Sequence, residues 1–312
     1  MEKALTLGVS PPRLTDPGLN RHEKRRIKGA RAVPKTLSSD AMAQYHHDGV
    51  LFPLPAIGRE KAAYYRACLE AVEQRNGGPL RGGAMFKSHL LYPWVDELMR
   101  TPAILDVVED ILGPNLLAWN THWFVKEPGD GRYVGWHQDL TYWHLEPDEA
   151  ITVWIALSDV TVENGAMKMV RGTHTREVVE HTDTWKPGAM LTRGQEIAVT
   201  VDESTAIDVE MAAGEMSLHH HKIFHASPAN RGMDRRIALA VRYIPAHVRQ
   251  VAVTGDSAAL VRGVDTHHHF QPEPRPERER EPALVAMQAE AARRQAEILY
   301  AGTGRGDFRP DL

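Results

Sequence analysis

A single cysteine, Cys68, is all that 312 residues contain, so no disulfide can form within the chain. Packing and polar contacts must hold the fold, and the cytoplasm, a reducing compartment, is the expected location. The lone thiol sits in helical text and reads as a small buried apolar group rather than a nucleophile. Long apolar runs are missing too. Nothing approaches the roughly 20 residues that a membrane-spanning helix needs, and the N-terminus has no apolar core of signal-peptide length. An excess of either charge is also absent, with 37 Lys and Arg against 41 Asp and Glu and a net charge of −4. Nucleic-acid binding leaves a basic patch or stripe, so no nucleic-acid partner is expected, and no membrane partner either. No internal repeat is visible. What remains is a chain with 42% hydrophobic residues, enough for a sizeable core, and 17 histidines whose placement carries the chemistry.

Residues 1–36 are rich in Pro, Gly and basic side chains, with a charge cluster at Arg21–Arg26, and read as a solvated N-terminal arm. Ser38, Ser39 and Asp40 can cap a helix that ends near Gly49, followed by a strand at Val50–Phe52. Helical spacing recurs at Lys61–Glu73 and Pro102–Leu112, with Gly113 placed to stop the latter. These helices are expected outside a sheet. From Asn115 the text turns β-like: Leu116–Val125, Ile151–Leu157, Met167–Val170, Glu196–Val201, Glu215–His220 and Arg236–Ile244, separated by Gly, Asn and Pro turns. Short strands in this number predict a mainly β sandwich or barrel with flanking helices over residues 37–250. Residues 251–312 read as an extension on the same domain. Within it Gln271–Glu281, alternating Pro, Glu and Arg, is expected to be a solvated linker, and Pro282–Tyr300 a docked helix. The extended termini point to a homodimer.

Trp136-His137-Gln138-Asp139, answered downstream by Phe224-His225-Ala226-Ser227 and Arg236, is the pattern that points to function. On an extended strand residues two apart face the same way, so His137 and Asp139 can grip one ion while Gln138 faces elsewhere. Two imidazoles and one carboxylate hold Fe(II) on one face and leave the other open, with His225 as the third ligand. Arg236 opens the apolar run Ile237–Val241, which reads as a buried strand, and a nearly buried guanidinium needs an anionic partner. A dicarboxylate fits, gripped by the planar donor fork and steadied by the Ser227 hydroxyl. On residues alone two alternatives stay open. His219 and His221 can alternate onto the face of His225 and hold zinc. A barrel of this kind also serves as a zinc or nickel hydrolase or isomerase, or as a metal-free binding module.

The order and separation of these motifs resemble the phytanoyl-CoA dioxygenase family of Fe(II)- and 2-oxoglutarate-dependent oxygenases. The resemblance rests on His137–Trp143, Val153–Leu157, Glu163–Met167, Arg171–His174 and His225–Asn230 with Arg236, and runs from Leu37 to Pro245. It implies a double-stranded β-helix, a cupin-like jelly roll, in which His137, Asp139 and His225 are the iron ligands and catalytic centre. It places Arg236 and Ser227 on the distal carboxylate of 2-oxoglutarate, and Lys87 and His220 beside the cosubstrate. It also implies that O2 and 2-oxoglutarate are consumed, succinate and CO2 are released, and a substrate C–H bond is hydroxylated or otherwise oxidised. Related halogenating enzymes carry a small residue in place of the carboxylate, so Asp139 argues for hydroxylation.

Trp119, Trp123, Trp136, Tyr142, Trp143 and Trp154 crowd the text around the motif, and most are expected in the core. Tyr142 and Trp143 follow Asp139 directly and are expected to face substrate. Asn120 and His122 alternate with Trp119 and Trp123, which turns a polar face of that strand toward the pocket; Gln138 is a further candidate. Lys87, Arg132, Lys168, Arg171 and Arg242 can serve an anionic substrate. The expected substrate is a small anionic or zwitterionic metabolite, phosphonate-like or a secondary metabolite. His267–His269 reads as a polar loop.

Overall fold

In the structure, a computed structural model that describes residues 35–304 and Phe308, four α-helices and one strand lead into a long run of strands that a last helix closes. All of the expected N-terminal arm except Lys35 and Thr36 lies outside the described residues. Helix α1 (Ser39–Asp48) begins where the Ser38 hydroxyl accepts from the Ala41 N–H and stops at Gly49, whose φ of 78° favours glycine. Strand β1 (Val50–Pro55) leads into α2 (Gly58–Asn76). Both α3 (Pro93–Met99) and α4 (Pro102–Leu112) start on a proline, where the missing N–H forfeits no hydrogen bond.

The strands follow: β2 (Leu116–Lys126), β3 (Val134–His137), β4 (Leu145–Glu146), β5 (Ile151–Ala156), β6 (Met167–Val170), β7 (His181–Asp183) and β8 (Gln195–Ile197). After them come β9 (Ala206–Val209), β10 (Glu215–His220), β11 (Phe224–Ser227), β12 (Arg236–Pro245), β13 (Arg249–Gln250), β14 (Ser257–Arg262) and β15 (Gln271–Pro272), and then helix α5 (Pro282–Leu299). Seven strands make one sheet in the order β1-β10-β5-β12-β2-β14-β15, and four make a second in the order β3-β11-β6-β9. Together they are the double-stranded β-helix, a jelly roll.

Strand alternation decides which face does what. On β12 Ile237, Leu239, Val241 and Tyr243 turn toward the helices and pack in one cluster with Leu69, Leu98 and Val108. The intervening Ala238 and Ala240 turn the other way and join Trp154, Met169 and Val209 in a cluster shared by both sheets. Large residues thus seal the outer side of the big sheet, while small ones leave room inside it. No helix among the described residues is long and apolar enough to cross a membrane.

Three boundaries differ from expectation. The big sheet runs past residue 250, because β14 pairs antiparallel with β2, setting Ala259 opposite Ala118. Strand β8 is short, pairing only with β7 and ending after Ile197 meets His181. Gln271–Glu281 is not wholly a solvated linker: Glu273 is buried, and its carboxylate meets Lys87 Nζ at 2.6 Å and His89 Nε2 at 2.7 Å. Opposite charges from distant segments neutralise one another there, which a reading of local composition misses. Helix α5 docks through Gln288, whose Nε2 donates to the carbonyls of Gly83 and Phe86, both at 2.7 Å.

Candidate metal centre

β3 and β11 pair in a register that sets His137 opposite His225. Residues 88 apart in sequence thereby become cross-strand neighbours, with ring centroids 4.0 Å apart. Gln138 keeps an extended backbone (φ −117°, ψ 133°), so Asp139 returns to the side of His137 just as the chain tightens into a 3-10 turn over Asp139–Tyr142. Asp139 Oδ1 lies 3.3 Å from His137 Nε2 and 3.9 Å from His225 Nε2. One ligating atom from each of the three lies within 4.8 Å of the others, the one such cluster among the described residues.

Backbone carbonyls orient both imidazoles. His137 Nδ1 donates to the carbonyls of Gly135 and His225 at 2.9 and 3.0 Å, and His225 Nδ1 donates to the carbonyl of Ile223 at 3.0 Å. With the proton held on Nδ1, each Nε2 presents its lone pair beside the carboxylate, as a metal requires. Burial, reinforced by His137, pushes the His225 imidazole well below its ordinary range. Burial works to raise the Asp139 carboxyl, but His137, His225 and Arg242 outweigh it and hold the group well below the usual carboxylate range. A neutral imidazole at His225 and an ionised carboxylate at Asp139 are the forms that bind a metal.

Two chambers meet at this triad. The inner one is walled by Trp154, Ala240 and Ser227 and reaches Arg236. Arg236 is buried, with Nη1 donating to the Gly165 carbonyl at 2.9 Å and to Ser227 Oγ at 3.0 Å, while its Nε has no partner. The guanidinium lies 5.1 Å from the centre of the Trp154 ring. Burial pushes its pKa down to about 9, since no ion pair of Arg236 occurs among the described residues. A buried cation in this condition calls for an anion. Gly165 shapes the place: its φ is +85°, and a Cβ there would come within 2.4 Å of the Pro228 carbonyl oxygen. Behind it Lys126 donates to the Ser227 carbonyl at 2.9 Å and to the Pro228 carbonyl, and burial followed by the charge of Arg236 pushes its amine down to about 6. Sequence reasoning missed Lys126, whose one mark is its place at the end of an apolar strand before the Pro128-Gly129 turn.

The outer chamber is lined by Asn120, His122 and Phe124 of β2, by Trp143, and by Arg242 of β12, while Gln295 and Leu299 of α5 help to close it. The expected Asn120, His122 and Trp143 therefore meet here. Burial, then the charge of Arg242, pushes the His122 imidazole down to about 3. Gln138 does not reach either chamber; its Nε2 donates to the Lys222 carbonyl and its Oε1 accepts from the Val179 N–H, both at 2.9 Å. His220 faces away as well, stacked on His221 at 4.2 Å, and it is His219, one residue earlier in the alternation, that borders the inner chamber. Lys87 is turned to Glu273 and Ser257, away from both chambers. The side chain of Tyr142 lies outside the described residues. The rival pair of His219 and His221 does not form a site among the described residues, because the regular alternation of β10 ends at His220 and no third ligand gathers with them.

A double-stranded β-helix with a buried His-Asp-His triad and an unneutralised arginine behind it defines a class, the metal-dependent oxygenases. The chain belongs to the phytanoyl-CoA dioxygenase family, whose model matches residues 26–238, and is an oxygenase dependent on Fe(II) and 2-oxoglutarate. It is 29% identical over 241 residues to the L-proline trans-4-hydroxylase of Streptomyces griseoviridis, a match covering 67% of this chain and 88% of that one. The probable phytanoyl-CoA dioxygenase of Caenorhabditis elegans is 32% identical over 160 residues, about half of either chain, at 48% and 51%. Among solved structures, the non-heme monooxygenase ThoJ in its apo form is similar with a TM-score of 0.72 and 37% identity, covering 82% of this chain and 96% of that one. The hydrolase, isomerase and binding-module alternatives give way to this membership.

Proposed function

We propose that the chain hydroxylates a C–H bond of a small anionic or zwitterionic metabolite, with Fe(II) held by His137, Asp139 and His225 and the distal carboxylate of 2-oxoglutarate held by Arg236 and Ser227. One observation carries the reading: the triad and the unneutralised Arg236 guanidinium border the same inner chamber. When bound, the metal supplies oxidation of a C–H bond by O2, coupled to decarboxylation of 2-oxoglutarate to succinate and CO2. The residues do the rest. Carbonyls of Gly135 and Ile223 hold the imidazole protons on Nδ1. Thr152 Oγ1 donates to Asp139 Oδ2 at 3.4 Å, which keeps Oδ1 turned to the imidazoles. The Arg236 fork orients the dicarboxylate by charge-assisted hydrogen bonds, and Trp154 with Ala240 keeps water from that end.

The substrate class follows from the outer chamber, where Phe124 and Trp143 stand beside the amides of Asn120, Gln195 and Gln295 and one guanidinium, Arg242. Rings take up a compact apolar body, and the amides and cation orient charged ends. The likeness to an L-proline trans-4-hydroxylase supports a small polar substrate. The test is purified protein with Fe(II), O2 and 2-oxoglutarate, offered amino acids, aminoalkylphosphonates and long acyl thioesters in turn. Succinate formed in step with a small anionic or zwitterionic compound is the expected result. Succinate only with long acyl thioesters overturns the substrate class, and turnover indifferent to 2-oxoglutarate overturns the whole reading.

A further inference from the structure

We propose that Arg242 is a second anion anchor, receiving a carboxylate at the junction of the two chambers; the proposal rests on the oxygenase reading above. Arg236 and Arg242 share one face of β12, and between them on that face stand only Ala238 and Ala240. The line from one guanidinium to the other is therefore free of large side chains of that strand. Arg242 borders both chambers, whereas Arg236 borders the inner one alone.

Arg242 is buried, 8% exposed, and among the described residues its side chain forms no hydrogen bond or ion pair. Its guanidinium lies 5.6 Å from the Trp143 ring centre and 5.9 Å from that of Phe124, contacts that soften burial without neutralising the charge. The sheet extends the pattern sideways. Register sets Arg242 between Asn120 of β2 and Thr152 of β5, and Thr152 beside His219 of β10. Three members of this row, Asn120 through Oδ1, Arg242 through Nε and His219 through Nδ1, bury a polar atom that has no partner. An unsatisfied buried group is costly, and more so when charged, so a row of them next to a cavity marks where a ligand completes the bonding. A carboxylate satisfies the guanidinium, and an N–H beside that carboxylate satisfies Asn120 Oδ1. Two molecules can bring such a carboxylate here: the keto-acid end of 2-oxoglutarate, or a substrate.

The test uses full-length protein loaded with Mn(II), as parent, Arg242→Met and Arg242→Lys, with thermal melts to verify folding. Calorimetry measures 2-oxoglutarate binding first, then hippurate against hippuramide on protein saturated with 2-oxoglutarate; hippurate carries a carboxylate next to an N–H, and hippuramide lacks the charge. Arg242→Met is expected to lose about tenfold or more in affinity for one of the two carboxylates, and Arg242→Lys less, since an ammonium keeps the charge but not the planar fork. Loss toward 2-oxoglutarate assigns the anchor to its keto-acid end. Unchanged 2-oxoglutarate binding, with the parent's preference for hippurate over hippuramide erased, assigns it to substrate. The proposal is overturned if Arg242→Met binds 2-oxoglutarate within twofold of the parent and the parent treats hippurate and hippuramide alike. If Arg242→Met does not fold, Arg242→Lys is read by the same criteria. A parent that does not bind 2-oxoglutarate at all sinks the oxygenase reading itself, which separates that failure from this one.

Discussion

Asp139 is the residue on which the reading divides most sharply, because it alone brings negative charge to the triad. Asp139→Ala is expected to abolish substrate-dependent succinate formation and to weaken Mn(II) binding measured by calorimetry; normal turnover in that variant removes Asp139 from the ligand set. Gly165 gives a subtler test. Its carbonyl accepts from both Arg236 Nη1 and Ser227 Oγ, and an added Cβ would press on the Pro228 carbonyl. Gly165→Ala is therefore expected to weaken 2-oxoglutarate binding about tenfold while metal binding persists, since the backbone shift moves the fork but not the triad. Equal 2-oxoglutarate affinity in a folded Gly165→Ala protein refutes that link. At this scale His137, Asp139 and His225 were legible in the sequence because only a few residue types bind a metal and their spacing is constrained by the strand. Lys87, Lys126 and Arg242 were not separable: all three are cations in sequence, and only tertiary packing turns the first to Glu273, the second to Ser227 and the third to the chambers.

β12 shows how one element serves two masters, its odd residues packed on helices and its even residues facing the chambers. Leu239→Ala is expected to destabilise the protein by about 2–5 kcal/mol in urea unfolding, yet to leave the 2-oxoglutarate affinity of the folded protein unchanged. Ala240→Leu, one residue on, is expected to do the reverse, filling the inner chamber and blocking 2-oxoglutarate; if both changes act alike on binding, the division of faces is wrong. The strands that support these forecasts were readable at Ile237–Val241 and Ile151–Leu157, where β-branched and apolar residues run without a break. β14 was not readable, because Val251–Arg262 mixes glycine, aspartate and small residues whose burial comes from lying beside β2. Glu273 was hidden for a related reason: in a run of Pro, Glu and Arg each charge looks solvated, and only the distant Lys87 and His89 make this one buried.

That buried group bears on the stability of the whole molecule. Glu273 joins the segment ahead of α5 to Lys87 and His89, residues that lie between α2 and α3, and Ser257 Oγ also donates to it at 2.6 Å. Burial works to raise the carboxyl, but the charges of Lys87 and His89 and their hydrogen bonds prevail and lower it from 4.5 to about 2. The folded protein thus binds this proton more weakly than the unfolded chain does. The stabilisation is complete above about pH 4.5 and drains away as the pH falls toward about 2. Glu273→Gln, which leaves the Lys87 charge buried and unpaired, is expected to lower stability at pH 7 by about 3–5 kcal/mol and to flatten the fall below pH 4.5. Replacing both Lys87 and Glu273, Lys87→Met with Glu273→Leu, should recover part of the pH 7 loss while keeping the flattened acid limb, because the buried ammonium is then gone and only His89 Nε2 and Ser257 Oγ lose their acceptor. Urea unfolding at pH 7, 4 and 3 reads both effects. An acid limb as steep in Glu273→Gln as in the parent would mean that other carboxylates, not this one, set the acid stability of the fold.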